Sequence, residues 1–117
     1  MQMNKDRKIT FFCSLRFIVN KLEEVESFKN QFKQYDIKTR PYFEDKTKYV
    51  ISIRLVENTD YQSLVNYVQG FNGKLNHDFF ISVSSEKDSE IVEVPNNVVE
   101  FIRSVGGKLH FSYTCIS

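Results

Sequence analysis

A chain of 117 residues that is 41% hydrophobic and holds eleven Phe can close a core without metal or disulfide staples, which excludes a disordered chain. Sixteen Lys and Arg against fifteen Asp and Glu leave a formal charge of +1. No global field therefore draws in nucleic acid or an anionic membrane, and any such role needs a local patch.

The stretch from Met1 to Lys8 is polar, with Lys5, Arg7 and Lys8, and reads as a solubilising tail. No signal-peptide core of the required length follows it. Ile9 to Val19 contains Arg16 and is too short to span a bilayer. The expectation is a soluble, cytoplasmic protein of one domain, residues 1–117, that makes no use of a membrane. Cys13 and Cys115 form no CxxC pair and are expected as reduced thiols.

Lys8 to Val19 alternates: Ile9, Phe11, Cys13, Leu15, Phe17 and Val19 share one parity, and Thr10, Ser14 and Arg16 the other. This is a strand with one buried face. Asn20, with Glu23 three residues on, can cap a helix over Lys21 to Tyr35, whose stripe is Leu22, Val25, Phe28, Phe32 and Tyr35. Ile37 to Phe43 reads as a strand that Pro41 confines to a sheet edge. Glu44-Asp45-Lys46 turns the chain into a second alternating strand, Thr47 to Val56, with Tyr49, Ile51, Ile53 and Leu55 inward.

Asn58, Thr59 and Asp60 then offer helix-starting side chains to Tyr61 to Phe71. Asn72-Gly73-Lys74-Leu75 leads into the strand His77 to Ser84, with Phe79, Ile81 and Val83 inward. Asp78, Phe80, Ser82 and Ser84 take the opposite parity. Pro95 suits the entry of a third helix, Asn97 to Val105, which Gly106-Gly107-Lys108-Leu109 joins to the last strand. In that strand Leu109, Phe111, Tyr113 and Cys115 are expected to face in, and His110, Ser112 and Thr114 out. Cys13 and Cys115 could then approach each other if the first and last strands are neighbours.

Helix, Gly-Lys-Leu turn and strand thus occur twice, and each helix joins two strands that should run parallel. The predicted fold class is α/β in two layers (α+β). It is a mixed sheet of about five strands with three helices on one face, in the order β-α-β-β-α-β-α-β, a ferredoxin-like start extended by one α-β unit. The other sheet face is left open and presents Phe12, Ser14, Arg16, Arg40, Tyr42, Ser52, Arg54, Phe80, Ser82, Ser112 and Thr114. Aromatic and Arg side chains supply much of the energy at interfaces, so Arg16, Tyr42, Arg54 and Phe80 are candidate partner contacts. The plain alternative is a solvated face whose Phe and Arg side chains shield one another.

No nucleophile elbow, P-loop, GxGxxG or metal-spaced His/Cys cluster occurs, and neither His77 nor His110 has a neighbour in sequence suited to orient it. The reading is a non-enzyme with no catalytic residue, no metal and no cofactor. Ser85 to Glu93 is the strongly acidic segment, and its Glu86, Asp88, Glu90 and Glu93 are candidate contacts for a basic partner.

The size, the mixed order, the acidic loop and the end Gly106-Gly107-Lys108-Leu109-His110-Phe111-Ser112-Tyr113 resemble small bacterial immunity proteins of contact-dependent or polymorphic toxin systems. The resemblance implies a cytoplasmic protein-binding module that captures a cognate toxin domain and blocks its active site or substrate channel. Those proteins share no functional residues, so none is carried over. Two alternatives use the open face differently: single-stranded RNA binding, with Phe12, Tyr42 and Phe80 stacking bases, or self-association into a homodimer.

Overall fold

In the computed structural model, which describes residues 9–87 and 91–116, the alternating run at the head of the chain forms an eleven-residue strand. The elements are β1 (Ile9–Val19), α1 (Leu22–Gln31), β2 (Ile37–Tyr42), β3 (Asp45–Arg54), α2 (Tyr61–Gln69), β4 (Asn76–Ser85), α3 (Asn96–Val105) and β5 (Lys108–Cys115). The predicted element order holds. The strands lie side by side as β2-β3-β1-β4-β5. β1 is antiparallel to both β3 and β4, β2 is antiparallel to β3, and β5 is parallel to β4. β1 and β2 therefore run the same way with β3 between them, as do β3 and β4 with β1 between them. These two split crossovers are the ferredoxin-like part, and α3 with β5 adds a direct one.

Parity decides which flank each side chain joins. Cys13, Leu15, Phe17 and Val19 of β1, Ile51 and Ile53 of β3, and Phe79, Ile81 and Val83 of β4 are buried. They share one cluster with Val25 and Phe28 of α1, Leu64 and Val68 of α2, and Val98 and Phe101 of α3. All three helices thus cover the same flank. Aromatic edges lock the layers: Phe17 meets Phe28 at 5.0 Å between ring centroids, Phe28 meets Tyr67 at 4.9 Å, and Phe79 meets Phe101 at 5.8 Å. Each fully buried ring contributes on the order of 2 to 3 kcal/mol from burial.

The helix ends differ from expectation by small steps with clear causes. α1 starts one residue later than Asn20 would set it, because Glu24 rather than Glu23 reaches back. Its Oε1 accepts from the backbone N–H groups of Asn20 and Lys21. The α-helix stops at Gln31, and Phe32 to Tyr35 continue as a turn whose Phe32 remains in the core. At α2, Asp60 accepts from both the backbone N–H and the hydroxyl of Ser63, a capping arrangement that holds the Asp60 carboxyl below its usual range. The β2–β3 hairpin turns through Phe43 and Glu44, one residue earlier than expected, since Tyr42 already pairs with Asp45. Pro41 sits on the edge strand as predicted, next to a register shift.

The last strand departs from the expected burial. Leu109 and Phe111 were expected inside, yet they are 54% and 65% exposed, and Cys115 is exposed too. Their parity is right, because Leu109 pairs with Phe79 and Phe111 with Ile81. What is missing is cover. α3 inserts Phe101 between Phe79 of β4 and Tyr61 of α2, so it packs over β4 and leaves the outer strand bare. Cys13 and Cys115 are likewise not neighbours, since β4 separates β1 from β5, and no disulfide joins them. Burial pushes the Cys13 thiol up to about 11.

Candidate binding face of the sheet

The flank opposite the helices is built from even-numbered side chains, and strand register fixes their rows. Lys38, Ser52, Arg16, Asp78 and Lys108 form one row from β2 to β5. Arg54, Ser14, Phe80 and His110 form the next, followed by Phe12, Ser82 and Ser112. Arg40, Val50, Ile18 and Asn76 lie on the other side of the first row. Arg16, Lys38, Arg40, Arg54 and Lys108 therefore stand against the single carboxylate Asp78 within these paired rows. These rows carry a cationic excess although the chain is close to neutral, and Glu44 and Asp36 border the hollows beside them.

Contacts across diagonals hold the face in shape. The Arg16 guanidinium lies 4.7 Å from the Phe80 ring centroid, and that of Arg54 lies 4.1 Å from Phe12. Such stacks contribute about 0.5 to 1 kcal/mol each where water has access. Arg16 also donates from Nε and Nη2 to the two carboxylate oxygens of Asp78, both at 2.8 Å. This hydrogen-bonded pair raises the Arg16 pKa, against the opposing effect of burial. His110 places Nε2 3.2 Å from Asp78 Oδ2, so one carboxylate faces both a guanidinium and an imidazole.

Two hollows mark the surface. A cleft of about 370 Å³ has Ile18 and Val50 among its lining, with Tyr42, Phe43, Arg16, Arg40 and His110 around it. Tyr42 and Phe43 pack edge to face at 5.6 Å, and Phe43 is 72% exposed. A second hollow of about 290 Å³ lies among Phe12, Arg54, Lys38 and Phe80. Together they give a relief of flat cations and apolar recesses that is suited to receiving side chains from another molecule.

Of the residues singled out from sequence, Arg16, Tyr42, Arg54 and Phe80 come together on this one flank. Glu86 does not join them. It follows Ser85 at the far end of β4, and seven residues of strand, about 23 Å, separate Asp78 from Ser85. Glu93 is exposed beside Glu57 and Asn97 at the start of α3, and Asp88 and Glu90 lie outside the described residues. Asp78, His110, Lys38, Lys108, Ile18 and Val50 were not picked out as part of the site. Their parity was available, but the Asp78 junction and the cationic row appear only once β1, β4 and β5 are placed side by side.

Each Phe ring that base stacking would use already carries a guanidinium. Among the described residues no group of three or more His, Cys, Asp or Glu could hold a metal ion, and no helix is long and apolar enough to cross a membrane. No protein-family model matches the chain, and no curated protein matches it.

Proposed function

We infer that the protein is a protein-binding module that docks a carboxylate-bearing partner on the open sheet face. The observation that carries this reading is the cationic, pre-shaped face itself: Arg16 and Arg54 are held flat by Phe80 and Phe12, and Arg16 is fixed again by Asp78. Side chains already ordered before contact lose little freedom on binding, which favours affinity. Exposed cations around apolar recesses steer an acidic partner and then bury its apolar anchors.

The partner class is a cognate toxin domain acting in the cytoplasm, and the protein serves as its immunity factor. Support for this part comes from the resemblance in size, element order and closing segment to small immunity proteins. Co-expression with the product of the neighbouring gene, expected to be the toxin domain, is the test. Protection by the wild type, lost in Arg54→Glu, fits the reading. Neither protection nor a complex with that domain overturns it.

The cationic rows give single-stranded RNA a specific claim as the second reading. Phosphate-driven binding weakens steeply with salt, with a slope set by the number of phosphates neutralised. Oligonucleotide retention that falls steeply with salt and is lost in Arg40→Ala would favour RNA, and absence of binding at low salt removes it.

A further inference from the structure

The sheet has two edges, and they are built differently. β2 carries Pro41, a register shift beside it, and the exposed cations Lys38 and Arg40, all of which blunt strand pairing. β5 has neither the Pro nor a register shift, and its one Lys, Lys108, stands at its first position. It is eight residues long, and among the described residues no strand pairs with its outer side. Its helix-side face ends in the exposed Leu109 and Phe111.

The phase of the free backbone groups can be read from one bond. The Ile116 N–H donates to the Ser85 carbonyl at 2.7 Å, in register with the Ser85–Cys115 pair. Along a parallel strand a residue sends its N–H and C=O to the same side, and the side alternates with each residue. Even-numbered residues of β5 therefore bond inward to β4. Leu109, Phe111 and Tyr113 turn both backbone groups outward, and they are also the apolar positions of the strand.

We propose that this protein forms a twofold dimer by antiparallel pairing of β5 with β5 of a second copy, making one continuous ten-stranded sheet. A two-fold axis at Phe111 sets Phe111 against its own counterpart and Leu109 against Tyr113. These are the residues whose backbone groups face out, so the three pairs exchange about six main-chain hydrogen bonds. The apolar side chains of both copies then meet on the helix side, and the polar row of His110 and Ser112 meets on the other.

Charge selects this arrangement over the parallel one. Antiparallel pairing sets Lys108 opposite Thr114 of the second copy, on the side where Glu86 follows β4, and keeps the two Lys108 six residues apart, about 20 Å. Parallel pairing would place Lys108 against Lys108. The closed, isologous contact also uses up the bare edge, so growth stops at two copies. The dimer does not rest on the open-face reading, because its apolar contacts, Leu109, Phe111 and Tyr113, have the helix-side parity and only Lys108 and His110 border both surfaces.

Light scattering on the full chain, from about 5 to 500 µM, is the test, with amide exchange as its companion. The expected mass at high concentration is twice the 13.8 kDa of one chain, returning toward 13.8 kDa on dilution. The Phe111 and Leu109 amides should be protected only in the dimer. Phe111→Lys and, separately, Leu109→Lys should each weaken the dimer at least tenfold while leaving the far-ultraviolet circular dichroism unchanged. Arg54→Glu should leave it intact. A 13.8 kDa particle at 500 µM overturns the proposal, as does a dimer that withstands both Lys variants. Phe111 and Leu109 amides that stay unprotected in a genuine dimer also overturn it.

Discussion

Removing the Asp78 carboxylate should cost this fold more than an ordinary surface mutation, and the amount follows from its partners. Asp78 receives two 2.8 Å bonds from Arg16, and the two side chains are only 24% and 29% exposed. A fully exposed ion pair contributes roughly 0 to 1 kcal/mol, whereas breaking a fully buried one costs about 3 to 5 kcal/mol. A pair this far from water lies between these limits. In Asp78→Ala, Arg16 also loses the anchor that keeps it over Phe80, so the expected cost is about 2 kcal/mol. A chain of this length unfolds with an entropy of about 0.25 kcal/mol/K, so the midpoint should fall by about 8 °C. Thermal melts of wild type, Asp78→Ala, Arg16→Leu and the double variant measure it, and the cycle isolates the pair. An Asp78→Ala melt within 2 °C of wild type refutes the argument. So does a loss of the same size in the Arg16→Leu background, since the cost would then arise elsewhere.

Further expectations concern the core, the last turn, the buried thiol and acid. Phe28→Ala removes a fully buried ring in contact with Phe17, Phe32 and Tyr67, and chemical denaturation should show a loss of about 3 to 5 kcal/mol. Gly107→Ala must place a methyl 2.8 Å from His77 Nε2 at a backbone φ of +121°, and it should destabilise by about 1 to 3 kcal/mol, whereas Gly73→Ala meets no neighbouring atom and carries only the backbone strain of its φ of +78°. Cys13 should resist iodoacetamide at pH 8 in the native protein and react fully in denaturant, as judged by mass spectrometry of its peptide. Asp45 and Asp60 both titrate below their ordinary value of 3.8 because Thr47 and Ser63 donate to them. Their stabilising contribution is complete above that value and is lost as pH falls through the lower folded values. Asp60→Asn should therefore flatten the acid limb of a stability profile below pH 4.

Much of this fold is visible in the chain because β1, β3 and β4 are half-buried, and half-burial writes itself as alternation. Phe17, Ile51 and Phe79 could be placed on the helix side from parity alone, and so could the opposite placement of Arg16, Arg54 and Phe80. The helices were legible for a related reason, since stripes such as Val98, Phe101 and Ile102 allow only one buried side. β5 was not legible in the same way. Alternation says which flank Leu109 and Phe111 join, but not whether a helix reaches that far, and α3 spends Phe101 on β4 and α2 instead. The pairs within the candidate site were hidden for a third reason. Arg16 and Asp78 are 62 residues apart, and only the β1–β4 register sets them opposite each other. The acidic segment looks prominent in sequence because four carboxylates fall within eight residues. The cationic face does not, because Arg16, Lys38, Arg54 and Lys108 are scattered over four strands.

The open face is the centre of this account, and its affinity for the proposed partner, the product of the neighbouring gene, is the most direct probe. Titration calorimetry should compare wild type with Arg54→Glu on the open face and Lys29→Glu on the exposed side of α1. The account predicts a drop of at least a hundredfold for Arg54→Glu and less than threefold for Lys29→Glu. Equal affinity for all three proteins, or a loss confined to Lys29→Glu, contradicts it.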